Sequence, residues 1–270
     1  MLVSHETPIS ILDHSRQYND YDYALVHLFD THPKYYNFFK TSLNLGREVM
    51  LDNSIFELGE AFNSDKYADY INELKPTYYI VPDVLEDYKE TRTSFYHFTR
   101  EYEDLPGLKV GVVQGKTYDE LVACYKFMSD FADYIAISFD YSYYQIIGRS
   151  TSGDPERAKL ERMCDGRKKF ISMLIEDGIW DWQKPHHLLG CSLAKEFGEC
   201  NGYTRVSNIR SVDTSNPVVA GIVGQRYLKG IGLYNKPKVL LADLIDTELT
   251  ADQMNDVIYN VEEFKNICNG

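Results

Sequence analysis

The chain has no C-x-x-C pair, and its cysteines (Cys124, Cys164, Cys191, Cys200, Cys268) are odd in number. That excludes a compact four-cysteine zinc site and leaves reduced thiols as the expectation. The opening MLVSHETPIS lacks a basic region and an apolar h-region, and no apolar run approaches about 18 residues. A soluble, cytoplasmic protein is expected. Neither G-x-G-x-x-G nor a P-loop is present, which weakens nucleotide-binding versions of an open α/β sheet. Positive charge is scarce. Lys and Arg number 28 against 41 Asp and Glu, a net charge of −13, which argues against non-specific coating of nucleic acid but does not exclude one local basic face.

What is abundant is tyrosine, 22 of 270 residues, with clusters at Tyr35-Tyr36, Tyr78-Tyr79 and Tyr141/Tyr143/Tyr144. Such residues serve either as strand and surface filler or as stacking platforms for bases. The length suits one large α/β domain over residues 1–270.

Short apolar runs bounded by turn residues predict eight strands: Ile9–Leu12, Ala24–Phe29, Glu48–Leu51, Tyr78–Val81, Lys109–Val113, Tyr134–Ser138, His187–Gly190 and Ile209–Val212. Helical patterns lie between most of them, at Lys66–Leu74, Tyr88–Tyr102 and Tyr118–Phe131. Repeated strand–helix alternation predicts a parallel sheet, and eight repeats predict a (β/α)8 TIM-type barrel. A doubly wound open sheet is the alternative. Two stretches break the rhythm. Residues 145–182 read as an insertion between strands six and seven, part flexible (GRSTSGDP) and part helical. Residues 214–242 contain no Asp or Glu but carry Arg226, Lys229, Lys236 and Lys238, a local basic surface.

Several predicted strands end on a carboxylate or amide, in VMLDNSIFELG (49–59), YIVPDVLED (79–87), VGVVQGKT (110–117) and IRSVDTSNP (209–217). Active sites of parallel barrels sit at the C-terminal strand ends, so these groups are candidates for chemistry. Asp52 and Asp213 each close an apolar run. Two such carboxylates can divide the work of a nucleophile and a proton carrier, as displacement at a sugar C1′ requires. The competing role for any one of them is to cap the helix or turn that follows. Asp83 can accept paired N–H donors, Gln114 can serve a carbonyl and a ring nitrogen, and Gly115 and Gly190 would admit a flat ligand close to the backbone. Asp140, after Ser138-Phe139, has no assigned role. His27, His32, His186 and His187 read as ordinary core or loop histidines, and Cys191 has no evident base beside it. No metal site and no cofactor is indicated.

Taken in order, these segments resemble the tRNA-guanine transglycosylases and the related DNA 7-deazaguanine transglycosylases, over roughly residues 8–220. LDNSIFEL is similar to that family's DSGGFQ strand end, VPDVLED to its base-recognising segment, and VGVVQG to G-I-V-Q-G. YIAISFD stands at its glycine-rich sixth strand, HHLLGCS resembles R-Y-L-M-G-V-G, and SVDTSNP the segment bearing the nucleophile. The resemblance implies that Asp213 attacks C1′ of a target guanosine and that Asp52 acts as general acid and base. It implies that Asp83 and Gln114 read guanine or a 7-deazaguanine of the preQ type. Backbone at Ser138–Phe139 and Gly190 would line the pocket, and Phe56 or an aromatic of the Tyr141–Tyr144 group would stack on the base.

The chain also departs from that pattern. After Asp213 there is no C-x-C-x-x-C…H site, Asn53-Ser54-Ile55 replaces the DSGG glycines, and Ser138-Phe139 replaces a double glycine. A short, zinc-free chain matches the compact DNA-modifying branch found in bacteriophages better than the tRNA branch. In that view the basic segment and the insertion helix (Arg157, Arg162, Arg167, Lys168, Lys169) contact phosphates. Interleaved Glu156, Glu161 and Asp165 make a solvated charged face the competing reading. The expected partners are DNA, or alternatively tRNA, and a free 7-deazaguanine base. A two-carboxylate nucleoside or glycoside hydrolase and a non-catalytic nucleic-acid-binding subunit are the rival functions.

Overall fold

A computed structural model of the chain describes residues 1–198, 202–203 and 205–270. Its strands are β1 (Leu2–Ser4), β2 (Asp22–Leu25), β3 (Val49–Asp52), β4 (Tyr78–Ile80), β5 (Leu108–Val113), β6 (Tyr134–Ser138), β7 (His186–Leu189) and β8 (Ile209–Asp213). They form one parallel sheet in the order β1-β8-β7-β6-β5-β4-β3-β2. The helices are α1 (Leu12–Ser15), α2 (His27–Thr31), α3 (Pro33–Asn44), α4 (Ile55–Leu58), α5 (Ser64–Leu74) and α6 (Tyr88–Glu101), followed by α7 (Tyr118–Phe131), α8 (Ser142–Ile147), α9 (Pro155–Glu176), α10 (Lys195–Gly198), α11 (Asn216–Ile222) and α12 (Ala251–Asn269). This strand–helix alternation on an eight-stranded parallel sheet is the (β/α)8 TIM-type architecture. Among the described residues no helix is long and apolar enough to cross a membrane.

The first strand is not where the apolar pattern puts it. Ile9–Leu12 is helical: a 3-10 turn over Ile9–Ile11 runs into α1. A four-residue apolar run does not distinguish helix from strand, and here Pro8 opens the turn by accepting the Ile11 N–H. The true β1 is three residues long and pairs Leu2 with Ser211, Val3 with Val212 and Ser4 with Asp213. The expected strand Ala24–Phe29 likewise begins earlier and ends sooner, because buried Asp22 opens β2 as a charge paired with Arg47 at 2.8 Å. The remaining strands lie within a residue or two of expectation.

The chain divides into two compact units. The one called here the outer-sequence unit comprises Met1–Asp20, Ser138–Trp182 and His187–Gly270, and the mid-sequence unit comprises Tyr21–Ile137 and Gln183–His186. In the mid-sequence unit the helices start where their caps dictate. Asn63 accepts from Lys66 N–H, Asp87 from Lys89 and Glu90 N–H, and Thr117 with Glu120 forms a capping box. The fully buried Tyr67 donates its hydroxyl toward the carbonyls of both Leu51 and Ile80, at 2.8 and 2.9 Å, tying together the ends of β3 and β4.

In the outer-sequence unit, 145–182 contains the end of α8 and the 22-residue α9, capped by Asp154 with Pro155 at its first position. The helices α8 and α9 meet closely, since a Cβ on Gly166 would lie 2.4 Å from that of Tyr144. An apolar cluster of Ile11, Val218, Ile222, Val257 and Val261 buries the facing sides of α11 and α12.

Most of the clustered tyrosines are core, and Tyr36 is partly exposed. Tyr35, Tyr78, Tyr79, Tyr141 and Tyr144 are all buried. Tyr141 and Tyr144 are therefore unavailable for stacking on a base, contrary to the expectation for that group, while Tyr143 is partly exposed.

Candidate active site

In the mid-sequence unit, three strand ends carry the expected polar groups. Asp83 lies just beyond β4, 3% exposed, and its two oxygens accept from different amides. Oδ1 receives Asn53 Nδ2 at 2.8 Å and Oδ2 receives Gln114 Nε2 at 2.7 Å. Gln114 in turn accepts the Glu86 N–H at 2.8 Å, and Asn53 accepts the Ile55 N–H at 3.0 Å. Burial pushes the Asp83 carboxyl above the ordinary carboxylate range, and the two amide donors pull it back. A carboxylate has about four acceptor directions. The two amides leave capacity for a ligand's paired N–H groups.

Asn53 is the member that sequence reasoning missed. In the sequence it stands only as a replacement for a glycine of the DSGG pattern, yet it is fully buried and aims Asp83. The available signal was a carboxamide directly after a strand-end aspartate.

Asp52 ends β3 and accepts the Tyr23 hydroxyl at Oδ2 and the Ser54 N–H at Oδ1. Ser54 takes φ 60°, the left-handed conformation that glycine favours. The capture of its N–H by Asp52 offsets that strain, so the loop turns without the glycines. Phe56 follows at 56% exposure. Gly115 has a different reason from the one expected. A Cβ there would lie 2.9 Å from both Glu120 Cβ and Leu121 N, so the glycine admits the first turn of α7 rather than a ligand.

In the outer-sequence unit, Asp213 ends β8 and is 5% exposed. Its Oδ1 contacts His187 Nε2 at 2.9 Å and accepts the Gly190 N–H at 3.1 Å, while Oδ2 receives neither donor. His187 is fully buried, and its Nδ1 lies 2.9 Å from Ser211 Oγ. Its reading as an ordinary core histidine overlooked this contact. The signal was its place on the strand adjacent to the one that carries Asp213.

Gly190 has φ 64°, and a Cβ on it would lie 2.4 Å from Phe139 Cδ1. The approach that this glycine permits is therefore taken by the Phe139 ring, not left open for a ligand. Phe139 also carries Lys236, whose Nζ lies 4.4 Å from the ring centroid. Ser138, at the end of β6, donates its N–H to the Tyr141 hydroxyl oxygen at 3.1 Å.

The expected phosphate contacts fare unevenly. Arg167 is wholly buried and ion-paired with Glu196 at 2.7 Å, so it does not face a nucleic acid. A residue spacing that looks like a basic helix face cannot reveal that one of its cations points into the core. Lys168 is half-buried and Lys229 is exposed. Arg226 lies over the Tyr259 ring at 3.9 Å and 4.0 Å from Asp256, and Lys238 pairs with Glu156 at 3.0 Å. Both cations are exposed, each pair is worth at most about 1 kcal/mol, and either cation can exchange its partner for a phosphate.

The described cysteines Cys124, Cys164, Cys191 and Cys268 are buried free thiols, and Cys200 lies outside the described residues. Burial pushes the Cys191 thiol well up, which makes it a poor nucleophile. Among the described residues no group of three or more His, Cys, Asp or Glu is placed to hold a metal ion. No protein-family model matches the sequence, and no curated protein matches it.

Proposed function

We propose that this chain is a base-exchanging guanine transglycosylase that replaces guanine by a 7-deazaguanine in DNA. The observation that carries the reading is Asp213. It is a strand-end carboxylate with one oxygen fixed by two donors and the other free of them. That arrangement suits an oxygen nucleophile whose direction of attack is set in advance. A lone pair on Asp213 Oδ2 forms the bond to C1′, and the C1′–N9 pair leaves with guanine, whose nitrogen takes a proton from Asp52. In the second half, N9 of the incoming base attacks C1′, its proton passes to Asp52, and the C1′–O pair returns to Asp213.

Asp83, held between two amides, and Gln114 read the edge of the base, and the exposed Phe56 is the aromatic proposed to stack on it. The target nucleotide leaves the duplex stack to react. Arg226, Lys229, Lys238 and Lys168 remain the cations offered to the backbone, whereas the Lys236 ammonium is desolvated against the Phe139 ring. Buried free thiols fit a reducing compartment such as a cytoplasm, that of the host if the protein comes from a bacteriophage.

The test is incorporation of labelled guanine, or of a labelled 7-deazaguanine, into DNA and into tRNA. Purified protein is expected to label DNA, and Asp213→Ala to abolish both incorporation and a trapped covalent adduct. Release of base without incorporation would identify a hydrolase instead. Exchange that survives in Asp213→Ala would remove Asp213 as the nucleophile.

A further inference from the structure

Ser211, His187 and Asp213 form an unbroken polar line inside the outer-sequence unit. Ser211 Oγ lies 2.9 Å from His187 Nδ1, and His187 Nε2 lies 2.9 Å from Asp213 Oδ1. A serine, histidine and aspartate in this order suggest the triad of acyl transfer, in which the serine is the reactive end. Position along the strand argues the reverse here. Ser211 is in mid-strand and 3% exposed, two residues short of the end of β8, whereas Asp213 occupies that end. A nucleophilic serine must project from a strand end or a turn to meet its substrate. The line therefore serves the aspartate.

A carboxylate only accepts, so the proton in the His187–Asp213 contact sits on Nε2. The Ser211 hydroxyl rotates to meet Nδ1 and fixes the ring's plane. With Gly190 N–H on the same oxygen, the imidazole leaves Oδ2 as the atom that attacks. We propose that His187 is a positioning residue for Asp213 that aims the nucleophile and favours its departure in the second half-reaction. This rests on the reading of Asp213 as the nucleophile.

The electron balance gives the role a signature. When Oδ2 bonds to C1′, Oδ1 becomes the carbonyl oxygen of a neutral glycosyl ester. When the incoming N9 takes C1′, the C1′–Oδ2 pair returns and Oδ1 shares the negative charge again. A hydrogen bond to a carboxylate is stronger than one to an ester carbonyl, so His187 stabilises the departing carboxylate more than the ester. Its removal thus slows ester breakdown more than ester formation, and the covalent intermediate accumulates.

The experiment follows labelled guanine exchange on a DNA oligonucleotide, together with the fraction of enzyme trapped as covalent adduct in the steady state. His187→Ala is expected to reduce exchange roughly ten- to hundredfold, the range for a hydrogen bond to a charged group, while the adduct fraction rises. His187→Gln, which keeps an amide donor at similar reach, is expected to recover part of the exchange and to lower the adduct fraction again. Exchange by His187→Ala at the wild-type rate overturns the inference, as does loss of exchange and adduct in parallel in both variants. Wild-type protein that exchanges guanine into neither DNA nor tRNA overturns the transglycosylase reading itself, so the two failures are distinct.

Discussion

Arg167 and Glu196 form a two-pronged ion pair, Nε to Oε1 at 2.7 Å and Nη2 to Oε2 at 3.0 Å, with essentially no exposure to solvent at either side chain. The guanidinium also donates to the carbonyls of Leu189 and Gly190, at 3.1 and 3.0 Å, and the Tyr203 hydroxyl donates to Glu196. Gly190 is the residue whose N–H meets Asp213. The pair thus anchors the loop that follows β7, and through it one of the two donors on the candidate nucleophile.

Arg167→Met is expected to destabilise the protein by about 3–5 kcal/mol, because Glu196 is left as a buried charge without its counter-ion. Urea unfolding of the two proteins measures this. The double variant Arg167→Met/Glu196→Gln should regain part of the loss. A single-variant effect below about 1 kcal/mol would mean that the pair is solvated in solution.

Gln114→Ala should show a stability deficit that depends on pH. The Asp83 carboxyl lies above the ordinary range in the folded protein because it is buried. An acid raised in this way contributes stability that is full below its unfolded value, near 3.9, and is lost as pH rises through the folded value. Removing the Gln114 amide raises the carboxyl further. The deficit against wild type, about 1–3 kcal/mol at neutral pH, should therefore shrink as the pH falls below the folded value. Chemical denaturation at pH 4 and pH 7 tests the sign, and an equal deficit at both would contradict it.

His5 supplies the opposite case. Burial lowers its pKa from 6.5 to about 4, its Nδ1 lies 2.9 Å from Asn19 Oδ1, and its buried Nε2 has no hydrogen-bond partner. A base depressed in the folded state contributes stability that is full above its unfolded pKa and is lost as pH falls from about 6.5 toward 4. The loss amounts to roughly 3 kcal/mol at most. His5→Phe, which keeps a ring against Tyr18 and Phe264, should flatten the stability profile across that window. Identical acid sensitivity in the variant and the wild type would remove His5 as a source of it.

How much was legible beforehand differs from residue to residue. The span of α7, Tyr118–Phe131, and of β6, Tyr134–Ser138, could be read to the residue. Each has a strong pattern with a clear cap or turn at its start. The strand Leu2–Ser4 could not be read, because three residues carry no period and only pairing with β8 makes them a strand. Asp52, Asp83, Gln114 and Asp213 were legible as strand-end polar groups, because apolar runs that stop at a carboxylate or amide are visible in one dimension. Their partners Asn53, His187 and Tyr23 were not, since each contact joins residues from different strands or loops.

The sequence by itself determined the architecture and the strand ends that carry polar chemistry, because both follow from local periodicity and from where apolar runs stop. Only the tertiary structure decided what those groups face. It turned Arg167 from a surface cation into a core ion pair, filled the space beside Gly115 and Gly190 with protein, and put an imidazole on Asp213. Side-chain direction and burial are set by neighbours distant in sequence, and no spacing rule along the chain encodes them.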